Sequence, residues 1–249
     1  MSEATFELRQ ALRNLNLTEA AQVIEQTLMD AESKEWTCRQ FLGQLLRHEI
    51  NRREEKQLAK RYRWALLPEI KTLDEFRLEE QQSLSKRQLS QLRELLWLEQ
   101  NYNLIFLGPP GVGKTHLAIG LAVEALKKGY KVSFVTMDAL VQLLKTEAIS
   151  RASQYKMKRI YRSDLVIMDD LMFMAMDRIE ANLFFQFVNK LYGQTSIILT
   201  SNKGPEEWAE LLGDPAITTA ILDRILHKSE IIQLQGDSYR LKHRQTIFS

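Results

Sequence analysis

Gly108-Pro109-Pro110-Gly111-Val112-Gly113-Lys114-Thr115 sets three glycines, a lysine and a hydroxyl at the spacing GxxxxGK[ST], a spacing that lets backbone N–H groups close around phosphate oxygens. Glycines 108, 111 and 113 leave open the approach that a Cβ would obstruct. A helix beginning at Lys114 would add a dipole favourable to anions. On this pattern Lys114 reaches the β- and γ-phosphates and Thr115 binds Mg²⁺. The run Gly108, Pro109, Pro110, Gly111, Val112, Gly113, Lys114, Thr115 and His116 forms the nucleotide cradle. A second cluster is Asp169-Asp170, delivered by the apolar run Leu165-Val166-Ile167-Met168. Asp169 suits the Mg²⁺ shell, and Asp170 suits orienting or deprotonating an attacking water. A third is Asn202, after the run Ser196–Thr200, where an amide can hold that water or sense the γ-phosphate. Polar residues are also common at strand ends for turn reasons alone.

These residues need strands that end together. Asn103–Leu107 is an apolar run fit for a buried parallel strand, and 114–128 places Leu117, Leu121 and Ala125 at helical spacing before Gly129. Strand and helix patterns then alternate: strand 131–136, helix 138–147, a basic stretch 150–162, strand 165–168, helix 177–191, strand 196–200, helices 205–212 and 218–226, strand 230–234. Such alternation makes a parallel α/β sheet. Fifteen residues after the last strand leave no room for a helical lid domain. Position 172 is Met, and Asn202-Lys203-Gly204 runs into Pro205, so the Asp-x-x-Gly and Asn-Lys-x-Asp patterns of a GTPase are absent. A protein kinase uses a different glycine loop.

Residues 1–100 contain one glycine, Gly43, and one proline, Pro68, which suits long helices. Amphipathic segments are expected over 6–15, from a Thr18 cap onward, and from Thr37 to about Trp64, the last with Phe41, Leu42, Leu45, Leu46 and Ile50 on one stripe. Its later part carries Arg53, Lys56, Lys60 and Arg63 on one face, either as a solvated helix face or as a phosphate-contacting stripe beside Tyr62 and Trp64. Lys156, Lys158 and Arg159 in the acid-free stretch 150–162 are further candidate DNA contacts. The expected organisation is a helical domain 1–67, a polar connector 68–85, and a nucleotide-binding domain 86–249 that opens with a single helix over 86–98.

The 249 residues are 45% hydrophobic, enough for one large core or two. Cys38 is the single cysteine, which excludes an intrachain disulfide and fits a reducing cytosol. The first residues show no secretory signal, and no apolar run reaches about 18 residues. A net charge of +2 does not by itself argue for nucleic acid; only the placement of charge could.

The phosphate loop, Asp169-Asp170, Thr200-Ser201-Asn202, Leu222-Asp223-Arg224 and Asp237-Ser238-Tyr239-Arg240 together resemble AAA+ ATPases of the helicase-loader clade. Leu15-Asn16-Leu17, Ala20-Ala21, Phe41-Leu42, Leu45-Leu46 and Arg52-Arg53-Glu54-Glu55-Lys56 are similar to the IstB family of insertion-sequence helper proteins. The resemblance spans roughly residue 8 to residue 243. It implies a doubly wound parallel sheet behind an all-α N-terminal domain, with ATP and Mg²⁺ as cofactors. It also implies a cytoplasmic homo-oligomer that assembles with ATP on double-stranded DNA and assists a transposase. A replicative helicase loader of the DnaC or DnaI type is the alternative, and a small-molecule P-loop kinase a weaker third. By motif position Asn202 is similar to the sensor I residue, Arg224 to the arginine that reaches a neighbour's γ-phosphate, and Arg240 to the sensor II arginine; both arginines could also be ordinary surface residues. Asp170 departs from the commoner Glu, and Met172–Met176 has no counterpart in the pattern.

Overall fold

Strand β1 (Asn103–Leu107) lies between β4 (Ser196–Ser201) and β5 (Ser229–Gln233), and β3 (Leu165–Leu171) and β2 (Val132–Thr136) continue beyond β4. The order is β2-β3-β4-β1-β5 with every neighbouring pair parallel, as the strand–helix alternation predicts. From β1 the chain crosses to the far edge, returns through β3 and β4, and ends on the other side of β1. The strand order therefore reverses beside β1, and such reversals open a ligand crevice at the carboxyl ends of the strands. The sequence of the central strands matches their position: β1, β3 and β4 are apolar along most of their length and buried on both faces. Helices α6 (Lys114–Lys127), α7 (Met137–Thr146), α8 (Arg151–Ile160), α9 (Arg178–Leu191), α10 (Pro205–Leu211) and α11 (Pro215–Leu226) connect or follow the strands. Phe184, Phe187, Trp208, Ile221 and Ile225 pack on β3 and β4 from the helical side, each burial contributing roughly 1.5–3 kcal/mol.

This computed structural model describes residues 3–81, 83–171, 176–211 and 214–242, without the side chains of 209–211, 240 and 241. Most of the unusual Met172–Met176 run and the side chain of Arg240 lie outside the described residues. The chain divides into two units, Met1–Lys60 and Arg61–Ser249. The first holds α1 (Glu3–Asn14), α2 (Thr18–Ser33) and most of α3 (Cys38–Ala65). The second adds α4 (Lys86–Glu94), α5 (Leu96–Glu99), the sheet with its helices, and a short α12 (Tyr239–Lys242).

Three local expectations need correction. Thr18 does not cap α2; its hydroxyl turns to Glu19, and the cap comes from α3, where Glu49 Oε2 accepts the Ala20 N–H at 2.7 Å. The stripe on α3 is also narrower than the apolar residues suggest. Phe41, Leu45 and Glu49 face inward toward Ala20 and Ile24, while Leu42, Leu46 and Ile50 are exposed. A buried acid takes the third inward position because α2 needs an acceptor there. Lys86–Leu98 is two helices, since Leu95 adopts φ 63° and breaks the run.

Candidate nucleotide site

The carboxyl end of β1 feeds directly into the glycine loop, whose backbone is pinned from two directions. At Gly108 an added Cβ would sit 2.2 Å from the Leu234 carbonyl oxygen, and at Gly113 (φ 96°) it would meet the Phe76 ring at 2.9 Å. Only glycine fits these two close approaches. Gly113 stands immediately before α6, so the loop and the helix N-terminus face the same space.

Lys114 begins α6 and is 6% exposed. Its Nζ donates to the carbonyls of Gly108 at 2.7 Å and Pro109 at 2.9 Å and to Asn202 Oδ1 at 2.6 Å. The lysine at the start of α6 and the amide just past the end of β4 are thus brought together. Thr115 Oγ1 donates to Asp169 Oδ1 at 2.9 Å, and Thr200 Oγ1 donates to the same oxygen at 2.6 Å. Burial pushes the Asp169 carboxyl above its ordinary range; the hydrogen bonds from Thr200 and Thr115 and the nearby Lys114 charge oppose that rise, and the Asp170 charge adds to it. Asp170 is exposed, with a backbone φ of 58°, and its N–H donates to Thr200 Oγ1 at 2.9 Å.

Lys114, Thr115, Asp169, Asp170 and Asn202 line a cleft of about 600 Å³ that also includes Phe76, Arg77, Pro110, Asp237 and Tyr239. Its donors fit a nucleotide phosphate: a buried lysine, loop N–H groups at a helix start, and a hydroxyl beside a carboxylate. Among the described residues no group of three or more His, Cys, Asp or Glu gathers as a metal site. A cation held by Thr115 and Asp169 would need its other ligands from phosphate and water, as Mg²⁺ commonly takes them.

The connector is part of this site, which its polar composition did not suggest. Leu73 and Phe76 are buried, Gln81 Nε2 donates to the Val112 carbonyl, and the Phe76 ring meets the His116 ring edge-on at 5.4 Å. His116 Nε2 lies 3.0 Å from the Thr72 carbonyl. The signal was there as Leu73 and Phe76, two large apolar residues three apart in a polar stretch. On the other side Tyr239 N–H donates to the Gly111 carbonyl at 3.0 Å, so the segment carrying Arg240 begins against the phosphate loop.

Arg224 is elsewhere. It lines a second cavity of about 230 Å³ with Asn103, Thr195, His227 and Lys228, at the amino ends of β1, β4 and β5, the end of the sheet opposite the phosphate loop. Its Nε donates to Asn189 Oδ1 at 2.9 Å, one terminal nitrogen donates to the Ala220 carbonyl at 2.8 Å, and the guanidinium lies 4.8 Å from the Phe185 ring centre. No carboxylate among the described residues pairs with it.

The basic candidates divide. Arg53 pairs with Glu49 and donates to the Asn16 carbonyl, and Lys56 pairs with Glu19 at 2.5 Å. Arg159 is half-buried over the Trp64 ring at 5.5 Å, and burial lowers its pKa. Lys60, Arg63, Lys156 and Lys158 are exposed, and the side chain of each is without a hydrogen bond or ion pair to any described residue.

The sheet order and the phosphate loop together define a P-loop nucleotide-binding domain of the AAA+ class. A solved DnaI structure shares the fold with a TM-score of 0.56 at 19% identity, covering 66% of this chain and 91% of that one. The chain belongs to the family described as IstB-like ATP binding protein, whose model matches residues 10–247. A Bacteroides fragilis relative, named as an ATP-binding protein of an IS21-like insertion sequence, is 40% identical over 98% of this chain and 92% of its own length. A Pseudomonas aeruginosa relative, named likewise for insertion sequence IS21, is 38% identical over 96% of this chain and 90% of its own length.

Proposed function

We propose that this protein is a Mg²⁺-dependent ATPase that assembles with ATP into oligomers on double-stranded DNA and assists a transposase. One observation carries the enzymatic part: Lys114, Thr115, Asp169, Asp170 and Asn202, drawn from three strand ends, converge on one cleft through hydrogen bonds of 2.6–2.9 Å. Lys114 binds the β- and γ-phosphates. Thr115 and Asp169 would hold a magnesium ion, which would neutralise phosphate charge. Asp170, exposed at the cleft, orients the attacking water, and Asn202 shares that task. The connector, through Phe76 and Arg77, and Tyr239 border the cleft.

The transposition part is supported by family membership and by the insertion-sequence names of the relatives. The placement of Arg224 at the far end of the sheet from Lys114 fits action on a neighbouring copy's nucleotide rather than on its own. The exposed cations Lys60, Arg63, Lys156 and Lys158 supply phosphate contacts to DNA, while Arg53, Lys56 and Arg159 serve within the fold. None of the described helices is long and apolar enough to cross a membrane. The test is electron microscopy of the protein on long duplex DNA, with ATP, with a non-hydrolysable analogue and without nucleotide, beside a hydrolysis assay with and without Mg²⁺. Nucleotide-dependent assemblies and Mg²⁺-dependent phosphate release are expected; bare DNA in all three samples would overturn the DNA reading.

A further inference from the structure

Thr200 stands on β4 with no exposed surface, and its hydroxyl does two things. It donates to Asp169 Oδ1 at 2.6 Å and accepts the Asp170 N–H at 2.9 Å. One buried oxygen therefore touches both acids at the end of the neighbouring strand.

The strand geometry makes this contact necessary. Met168 pairs with Leu199, and the next pair is Leu171 with Ser201, so β3 carries one residue more than β4 across this interval. That is a β-bulge, which bends a strand and re-aims a side chain. Without it, consecutive residues would point to opposite faces of the sheet, yet Asp169 and Asp170 both line the cleft. The bulge is built by Asp170 at φ 58°, a left-handed conformation disfavoured for a residue with a Cβ. At this irregularity the Asp170 N–H donates to the Thr200 hydroxyl at 2.9 Å, a side-chain contact that ties the bulge to β4.

We infer that Thr200 is a positioning residue: its hydroxyl holds the bulge that brings Asp170 into the cleft beside Asp169. This rests on the reading of Asp170 as the water-orienting group. A packing residue would be replaceable by valine, which has nearly the same shape. A positioning hydroxyl is replaceable by serine and not by valine.

The experiment compares Thr200→Val, Thr200→Ser and Asp170→Ala, with two readouts. The first is amide hydrogen exchange at Asp170 in the protein without nucleotide; the second is ATP affinity and turnover with Mg²⁺. Thr200→Val is expected to speed Asp170 amide exchange at least about tenfold and to lower kcat by about ten- to a thousandfold, with ATP affinity within about threefold of wild type. Thr200→Ser is expected to restore both. Should Thr200→Val fail to fold, Thr200→Ala takes its place with the same readouts. Wild-type turnover and an unchanged Asp170 amide in the valine variant, with Asp170→Ala inactive, would overturn the positioning role while leaving Asp170 in place. Full turnover in Asp170→Ala would instead overturn the role of Asp170 itself.

Discussion

Arg224 on α11 and Arg53 on α3 are two arginines that the sequence marks for phosphate contact, and they are held in opposite ways. Arg53 meets Glu49 at 2.5 Å, and that carboxylate is buried where it also caps α2. Arg224 meets an amide oxygen, a backbone carbonyl and an aromatic face. Neutral partners fix the direction of a guanidinium without cancelling its charge, whereas a carboxylate does both. The contrast extends to the regions around them. Asp169 is held by two hydroxyls, while Glu19 is held by Lys56 and Arg52. Arg224 and Asp169 are thus oriented by neutral groups, although other charges of the nucleotide-binding domain are paired, as Arg93 is with Asp74 and Lys145 with Glu180. In the N-terminal unit Glu19 pairs with Arg52 and Lys56, and Glu49 with Arg53.

The largest effects should follow where availability matters most. Lys114→Ala removes a buried cation from the phosphate loop and should weaken ATP binding by about a hundredfold or more, on the order of 3 kcal/mol. Asp170→Ala should leave affinity within about threefold and lower turnover about 10²–10⁴-fold. Binding and single-turnover measurements on both variants separate the roles. Equal loss of affinity in the two would break the assignment.

Arg224→Ala should lower ATPase activity about a thousandfold, the lower range for an arginine acting on a transferring phosphoryl group. Mixed with Lys114→Ala subunits it should recover part of that activity, because some interfaces then pair an intact loop with an intact arginine. Asn189→Asp sharpens the comparison by giving Arg224 the kind of partner that Arg53 has. It should silence the arginine nearly as fully as alanine does, with the guanidinium still present. A mixture that stays inactive although mixed oligomers form would remove Arg224 from catalysis.

The gathering of the candidate site's residues was legible because they stand in short contiguous runs of telling spacing: 108–115, 165–170 and 200–202. Sheet composition followed for the same reason, since four apolar residues ending in two acids leave few alternatives. Contacts between distant segments were not legible. Leu73 and Phe76 mark the connector as packing against something, but nothing local says that Phe76 and Gln81 meet Gly113 and Val112. Nothing local to Glu49 marks it as the cap of a helix that starts at Thr18. On α3 the apolar count suggested a wide stripe, but a helix face is defined by what it packs against, and one inward position was needed for an acid.

The N-terminal unit should be sensitive to acid. The Glu19 carboxyl is held below its ordinary value of 4.5 by Lys56 first; for Glu49 burial works against that fall, but the α2 N–H groups and Arg53 outweigh it. A carboxyl whose pKa is depressed by folding contributes stability above its unfolded value and loses it as pH falls through the folded value. Helicity of the N-terminal unit should therefore drop below about pH 4.5, and Glu49→Ala should cost about 1–3 kcal/mol at neutral pH through the lost cap and the lost partner of Arg53. Thermal melts followed by circular dichroism from about pH 6 to about pH 3 check both. A wild-type melt in Glu49→Ala would mean that α2 is capped by water alone.

The smallest effect divides the basic stripe itself. If Arg53 and Lys56 are structural, removing them should lower the melting temperature and leave the salt dependence of DNA binding alone. The Lys60 and Arg63 side chains are exposed and bond to no described residue, so their removal should do the reverse. Each phosphate neutralised contributes about 0.9 to the slope of log K against log salt. The double replacement Lys60→Ala with Arg63→Ala should therefore flatten the slope by up to about 2 per bound subunit, equally on two unrelated duplexes, with no change in melting. Point charges on a helix face read phosphate and not sequence, which is why two duplexes are required. An unchanged slope in this variant, with a reduced one after replacing Lys156 and Lys158, would move the DNA contact from α3 to α8. The neutral-partner side of the comparison would then hold all of the chain's phosphate chemistry.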